Sequence, residues 1–363
     1  TVETTAPAST EITAPADSVN RSSMPRRPRL ISPGLEWLPE VVEADDFAEA
    51  PAETTITLPY SQAAEGLPAL PPSARTFQPS GALSGKIVYL MAGHGWTYND
   101  ATQSWYTQRG PLYGMIEDLG NLDQMHIFAH MVWNAGGTVV PLRPVDHQPE
   151  ERIIDNSMPQ ATFYGPWADS ESKVYHGTPR DRVPYRFTYA SLEETAVARF
   201  RPWIPRAGEY PVYAWARDGR DRVDQLYRVH HAGGITEVRV NHRMVGKGWI
   251  WLGTYRFNEG DSGFVEVSNQ VTDLYQADGN HVVVADAIRF GNGRGNAQRE
   301  GGISNYLRED EGDAYWIASS LPFAADRRLY TSGRTDGNAT VSAPPKTVAY
   351  MNRETEGRYT DRV

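Results

Sequence analysis

The stretch EYPVYAWARDG, residues 209–219, decides the fold. It is a short, mainly apolar segment that ends in the turn signal Asp218-Gly219. Similar segments separated by Gly, Asn or Asp recur from Phe187 to Phe290: LYRVHHAGG, ITEVRVNH, GWIWLGTYRFNEG, GFVEVSN and HVVVADAIRFG. Strands of this length and spacing predict an antiparallel β-sandwich of about a hundred residues.

The pattern upstream of these strands is different. The run KIVYLMA, residues 86–92, reads as a strand buried on both faces. Residues 115–137 then carry apolar side chains at helical spacing and end in Asn134-Ala135-Gly136-Gly137, which suits a helix C-terminus. TVVPLRP, residues 138–144, follows as a second strand. Strand, loop, helix and strand form the unit of a parallel α/β sheet.

The predicted fold class is therefore α/β, a twisted sheet with flanking helices that is interrupted by an antiparallel β-sandwich domain. Four ranges follow from these changes of pattern. Residues 1–82 form a Thr/Ala/Pro-rich linker or tail, since they have no apolar period and too little apolar area to fold. Residues 83–157 form the first part of the α/β domain, 158–292 the sandwich insertion, and 293–363 the continuation of the α/β domain, incomplete in this sequence.

Composition excludes several classes of function. The formal net charge of −10 and the absence of a long Lys/Arg-rich run argue against nucleic-acid binding. The chain has no cysteine, so a metal site must use His, Asp or Glu. No apolar stretch approaches the ~18 residues of a transmembrane segment. Because the chain begins with Thr1, we expect a removed export signal or a longer N-terminal part, and a location in the periplasm, on the outer surface or outside the cell.

Two residues suggest a metal centre at the tip of the first strand. His94 lies between Gly93 and Gly95, where α/β folds place ligands, and Glu117 opens the following helix so that its carboxylate can point back to that tip. A histidine and a glutamate are two of the three protein ligands of a catalytic zinc site. His126 and His130, spaced i, i+4, are further candidates, although packing along the helix explains them as well.

These residues resemble the zinc-dependent N-acetylmuramoyl-L-alanine amidases of bacterial cell walls. The features that carry the resemblance are Gly-His-Gly at 93–95, Glu117 with Asn121-Leu122, the turn and strand 137–143, and a helix with Glu151-Arg152 and Asn156. The resemblance implies Zn²⁺ on His94 and Glu117 and a metal-activated water that attacks the amide between muramic acid and L-alanine. The family's second histidine ligand and its catalytic glutamate have no counterpart here, so no catalytic residue is assigned. Truncation or completion by another polypeptide stays open.

The β segment, roughly residues 160–292, resembles the golvesin C-terminal-like or xanthan-lyase-type carbohydrate-binding sandwich. The matching pieces are YPVYAWARDGRDRVDQLYRVHHAGG, WIWLGTYRFNEG, GFVEVSN and VVVADAIRFG. Such domains are found inserted in or attached to envelope hydrolases. The resemblance therefore implies an exported protein whose partner is peptidoglycan or another envelope polysaccharide.

Aromatic residues and one arginine supply the candidate substrate contacts. Trp96, Tyr98 and Arg109 follow His94 and are candidates for a substrate wall, with lid packing and an ordinary surface arginine as the alternatives. Trp249, next to Lys247 and Gly248, is expected to be an exposed platform for a sugar ring. Two further tryptophans are expected in the sandwich core, and three histidines on the strand surface: Trp215, Trp251, His230, His231 and His242.

Two functions follow, of which the first is the main prediction and the second its alternative. The first is zinc-dependent hydrolysis of the N-acetylmuramoyl-L-alanine amide of peptidoglycan, with a carbohydrate-binding insertion. The alternative is a non-catalytic envelope protein that binds polysaccharide or has a structural role at the surface.

Overall fold

The computed structural model describes residues 75–91, 96–99, 104–107, 109–146, 148–176, 183–292 and 336–351. All of these ranges lie in one compact unit, Leu67–Val363. Two six-stranded β-sheets dominate that unit and pack against each other. The predicted β-sandwich is confirmed.

The described strands are, in chain order, β1 Arg75–Phe77, β2 Ile87–Leu90, β3 Trp96–Asn99, β4 Ser104–Thr107, β5 Thr138–Pro141, β6 Glu151–Asp155, β7 Ala161–Tyr164, β8 Ala168–Asp169, β9 Arg186–Tyr189, β10 Val197–Phe200, β11 Gly208–Trp215, β12 Asp224–His231, β13 Gly234–Asn241, β14 Ile250–Phe257, β15 Phe264–Ser268, β16 Val282–Ala285 and β17 Ala287–Gly291. The described helices are α1 Glu117–Asp123, a π-helical turn Gln124–Phe128, α2 Ala129–Asn134, a 3₁₀ turn Leu274–Ala277 and α3 Asp336–Met351.

The sandwich consists of a front sheet and a back sheet. The front sheet has the strand order β1-β13-β12-β15-β10-β7, and all its pairs are antiparallel except β1 with β13. The back sheet has the order β2-β5-β14-β11-β17-β6. A three-stranded sheet, β16-β9-β8, and a hairpin, β3-β4, complete the described strands.

Strand β11 shows how the layers are built. Val212 and Ala214 belong to the core between the two sheets, whereas Tyr213 and Trp215 belong to a second core between the back sheet and the helices. Because successive side chains of a strand point to opposite faces, a strand covered on both sides needs a continuous apolar run. The sequence EYPVYAW supplies that run, and helix residues such as Met125 cover the second face.

The predicted strand–helix–strand unit is confirmed, but it does not form a sheet of its own. Strands β2 and β5 are parallel, with Ile87 opposite Thr138, and the helices α1 and α2 lie between them in the chain. The helix ends where Gly136 adopts a φ of +87°. Strand β5 then pairs with β14, which makes β2 and β5 an extension of the back sheet. The described residues thus form a mainly β structure in which the sandwich and the α/β unit share one sheet, which corrects the prediction of a twisted α/β sheet interrupted by a separate domain.

The helix expected at Glu151–Asn156 is wrong. Residues Glu151–Asp155 form the edge strand β6, antiparallel to β17. Ile154 enters the core between the sheets, whereas Ile153 packs against the core under the helices. Two adjacent apolar residues that point to opposite faces satisfy a strand covered on both sides. In a helix the two side chains would be only about 100° apart around the axis, which does not direct them to opposite sides.

Parts of the predicted tail and of the C-terminal continuation are described. Strand β1 lies inside the range 1–82, and residues 1–74 lie outside the described residues. Helix α3 brings Met351 into the sandwich core, and the ring of Tyr350 lies 4.9 Å from the Nζ of Lys247. None of the helices in the described ranges combines the length and the apolar character needed to cross a bilayer.

Candidate functional site

The residues predicted to bind zinc and substrate near the first strand are only partly described. His94 lies outside the described residues. Glu117 is the exposed first residue of α1. Trp96 and Tyr98 lie in β3, which pairs antiparallel with β4. Arg109 is exposed, and its backbone N–H donates to the Asp118 carboxylate over 2.8 Å. The zinc site and the substrate contacts of these residues therefore stay predictions.

The exposed-platform prediction is wrong for Trp249. Its side chain is 1% exposed and lies between His176, 5.0 Å away between ring centroids, and the guanidinium of Arg289, 5.8 Å from the ring. The core positions predicted for Trp215 and Trp251 are confirmed, since both are buried. Trp203, by contrast, is largely exposed to solvent, at 63%.

His126 and His130 converge on a carboxylate that the sequence did not single out. The Nε2 of His130 lies 3.0 Å from both carboxylate oxygens of Asp146, and the Nδ1 of His126 lies 3.4 Å from one of them. The hydroxyl of Thr254 also donates to Asp146. Burial alone would raise the pKa of Asp146, but the hydrogen bonds to the two imidazoles outweigh it and hold that pKa well below its usual range. This cluster keeps the helix against the back sheet.

The surface position predicted for His242 is also wrong. It is fully buried, its Nδ1 donates to the carbonyl of Val245 over 2.9 Å, and its Nε2 accepts from the Tyr227 hydroxyl over 2.7 Å. His230 and His231 are partly exposed on β12, as predicted.

The outer face of the front sheet carries polar and aromatic groups that range from exposed to buried. Ala198 and Phe200 of β10 point into the core, so Arg199 points outward by strand alternation. The alternation continues past the strand, because Pro202 and Ile204 are buried, Arg201 is partly exposed and Trp203 is exposed. Arg199, Arg201, Trp203, Phe264 and Glu266 define what we call the β10 face.

Charges of alternating sign cross this sheet in register. The cross-strand row runs from Glu237 through Arg228 and Glu266 to Arg199. Arg228 lies 3.2 Å from Glu237, and Arg199 lies 2.8 Å from Glu266. Burial raises the pKa of Glu266, but hydrogen bonds from His230 and Arg199 dominate and lower it to about 2. The ion pairs therefore hold the charged side chains of this row in place across four strands.

Aromatic groups flank this charged row. The ring of Phe264 is stacked on His230 at 4.0 Å between centroids, and the guanidinium groups of Arg199 and Arg201 lie 4.6 and 4.5 Å from its centroid. Tyr164, on the neighbouring edge strand β7, is 53% exposed. The alternation of buried and exposed residues that begins in β10 continues to Trp203. The exposure of Trp203 could be predicted from the sequence only if the position of β10 were known.

A second polar cluster lies inside the molecule. Asp155 ends β6, Asp286 stands between β16 and β17, and His176 follows β8. The His176 Nδ1 lies 3.1 Å from the Asp155 carboxylate, and its backbone N–H donates to Asp286 over 3.1 Å. Burial, followed by the charge of Asp155, raises the pKa of Asp286 well above its usual range. Burial acts the same way on Asp155, but hydrogen bonds from His176 and Ser157 prevail and lower the pKa.

One comparison with known proteins falls on the sandwich. A family model described as the Golvesin C-terminal domain matches residues 152–292. The xanthan lyase of Bacillus sp. (strain GL1) is 33% identical over 153 residues, which are 41% of this chain and 16% of that protein. The match thus spans about a sixth of the curated relative. The predicted resemblance to golvesin C-terminal and xanthan-lyase-type domains is confirmed, whereas the amidase resemblance is not shown.

Two solved structures each resemble about two fifths of the chain. One is a Paenibacillus xanthan lyase, with 28% identity and a TM-score of 0.34 over 39% of this chain and 13% of that chain. The other is a family 35 carbohydrate binding module from Clostridium thermocellum, with 16% identity and a TM-score of 0.28 over 39% of this chain and 98% of that chain.

Proposed function

We propose that the sandwich is a polysaccharide-binding domain and that the β10 face is its binding surface. The observation that carries the proposal is the exposed Trp203, placed in one outward row with Arg199 and Arg201. This row lies within residues 152–292, which match the model of the Golvesin C-terminal domain.

The chemistry of the face suits a sugar chain. An indole offers a flat apolar surface at little cost in conformational entropy, and a sugar ring presents apolar C–H groups to it. Arg199 is held in place by its ion pair with Glu266, so its remaining N–H groups are pre-organised to donate to hydroxyl or carboxylate groups of the ligand. A bound chain would follow the strand row from Trp203 toward Tyr164.

Amide hydrolysis of peptidoglycan has less support than polysaccharide binding. Among the features that suggested it, the helix at Glu151–Asn156 is a strand, and His94 lies outside the described residues. Non-catalytic binding of an envelope or extracellular polysaccharide accounts for the described part of the chain. A polysaccharide of this kind is met outside the cytoplasm, so export of the protein belongs to the same proposal.

Affinity electrophoresis through gels that contain xanthan tests this proposal, with dextran gels as the neutral comparison. We expect xanthan to retard the full chain, and we expect Trp203→Ala to weaken binding at least tenfold, which is about 1.4 kcal/mol. Tyr189→Ala is the matched control, since Tyr189 is 58% exposed on β9 of the three-stranded sheet and should not affect binding. Equal retardation of wild type and Trp203→Ala would refute the assignment of the face.

A further inference from the structure

The cluster of Asp155, His176 and Asp286 has the composition and the spacing of a metal site. One ligand atom from each residue lies within 4.8 Å of the others. Two atoms bound to one metal ion at about 2.1 Å are separated by roughly 3.0 Å in octahedral and roughly 3.4 Å in tetrahedral geometry. The 3.1 Å between His176 Nδ1 and Asp155 falls within this range.

An independent observation points to a missing ligand. Asp286 is 1% exposed, and its Oδ1 has no hydrogen-bond partner among the described residues. A buried carboxylate oxygen without a partner destabilises the folded protein, and a second carboxylate beside it adds repulsion. A bound cation removes both costs at once, because it supplies the missing partner and neutralises the two acids.

We infer that Asp155, His176 and Asp286 bind a divalent transition-metal ion. An imidazole nitrogen combined with two carboxylates favours ions such as Zn²⁺ or Mn²⁺, whereas Ca²⁺ and Mg²⁺ prefer sites made of oxygen atoms alone. Binding of the ion displaces the proton of the hydrogen bond between His176 and Asp155.

The site has a structural role by its location. Its ligands come from the end of the edge strand β6, from the segment after β8 and from the junction between β16 and β17. His176 also contacts two core tryptophans, with its ring centroid 5.0 Å from Trp249 and 6.1 Å from Trp215. A metal here joins the back sheet to the three-stranded sheet. This site is separate from the β10 face, so the inference does not depend on polysaccharide binding.

The test is metal retention and thermal unfolding of the full chain. The protein is stripped with a chelator, dialysed against Zn²⁺ and then against metal-free buffer, and its zinc is measured by mass spectrometry. We expect one zinc per chain and a rise of several degrees in Tm relative to the stripped protein, with a smaller rise for Mn²⁺ and none for Ca²⁺. Wild type that retains no zinc and shows no rise in Tm would overturn the inference, whatever the variants do.

Variants locate the ion. Asp286→Asn should lose both the zinc and the Tm response. Asp278→Asn is the matched control, since Asp278 also accepts from a histidine, His281, over 2.8 Å, but in a surface turn; it should keep both. Zinc lost in His94→Ala or His130→Gln, or retained in Asp286→Asn, would place the metal elsewhere and overturn the inference. If Asp286→Asn fails to fold, His94→Ala and His130→Gln still decide the question.

Discussion

Acid should destabilise this protein through His242, and the expected size follows from its surroundings. The imidazole is fully buried, and burial, which disfavours the charged form, lowers its pKa from 6.5 to about 4. The hydrogen bond to Val245 opposes this shift, and the charge of Arg222 adds to it. Both ring nitrogens are already used, Nδ1 as a donor and Nε2 as the acceptor of the Tyr227 hydroxyl. Protonation would turn that acceptor into a second donor facing the hydroxyl.

The sign of the effect follows from which state binds the proton. Below pH 6.5 the unfolded chain protonates this histidine, whereas the folded chain does so only as the pH approaches 4. The free energy of unfolding is therefore unaffected above about pH 7 and falls by up to ~1.4 kcal/mol per pH unit between 6.5 and 4. Between pH 7.5 and pH 5 the loss from this one group is about 2 kcal/mol.

Urea unfolding at a series of pH values measures this loss. His242→Gln removes the titrating group but keeps an amide oxygen for Tyr227, so its stability should depend less on pH by about 2 kcal/mol over the same interval. Tyr227→Phe is the matched control, because it disturbs the same hydrogen bond but keeps the imidazole, and it should retain the wild-type slope. A slope in His242→Gln equal to that of wild type would refute the reasoning.

Further predictions concern the charged row and two tightly packed glycines. Glu266→Gln should lower the free energy of unfolding by about 2 kcal/mol, because it removes the negative charge to which Arg199 and His230 are hydrogen-bonded. Arg75→Gln, at an exposed ion pair, should change the free energy of unfolding by less than about 0.5 kcal/mol. Equal urea midpoints for the two variants would contradict this prediction. Gly248→Ala should lower Tm, because the new methyl group would lie 2.9 Å from the Sδ of Met351. In the double variant with Met351→Ala, part of this loss of Tm should be restored. Additive losses of Tm in the double variant would exclude that contact as the cause. Gly165→Ala should lower Tm further than Gly248→Ala, because Gly165 has a φ of +88° and the new Cβ would lie 2.2 Å from the backbone oxygen of Thr195. A smaller loss of Tm than in Gly248→Ala would show that the loop can shift.

The sequence predicted the elements better than their partners. The periodic apolar residues of 115–137 and the glycines after them predict the helix and its end, because both signals are local. The pairing of β5 with β14 is not local: Val139 and Trp251 are neighbours across the sheet but more than a hundred residues apart in the chain. Nothing in either segment specifies the other, so the sequence suggested two domains where one sheet runs through both.

The errors on Trp249 and His242 have one cause. A surface position follows for both from their own polarity or that of their neighbours in the sequence. Lys247, next to Trp249, is in fact 3% exposed and lies 3.4 Å from the Asp218 carboxylate, so its charge is balanced inside the protein. Buried polar groups need partners, and those partners, like the Tyr227 hydroxyl that His242 accepts from, come from other strands. Single-residue polarity carries no information about them.

The continuous back sheet has a consequence for how this domain can be excised or grafted. A fragment that starts at residue 158 lacks β2, β5 and β6. In that fragment β14 has lost its neighbour β5, and β17 has lost its neighbour β6. Both strands would become unpaired edge strands rich in aromatic and branched residues. Such edges pair with strands of other chains, so the fragment would aggregate. The smallest transplantable unit therefore includes the strands that precede the sandwich, and an evolutionary transfer of the sandwich alone would have to replace them with strands from the new host.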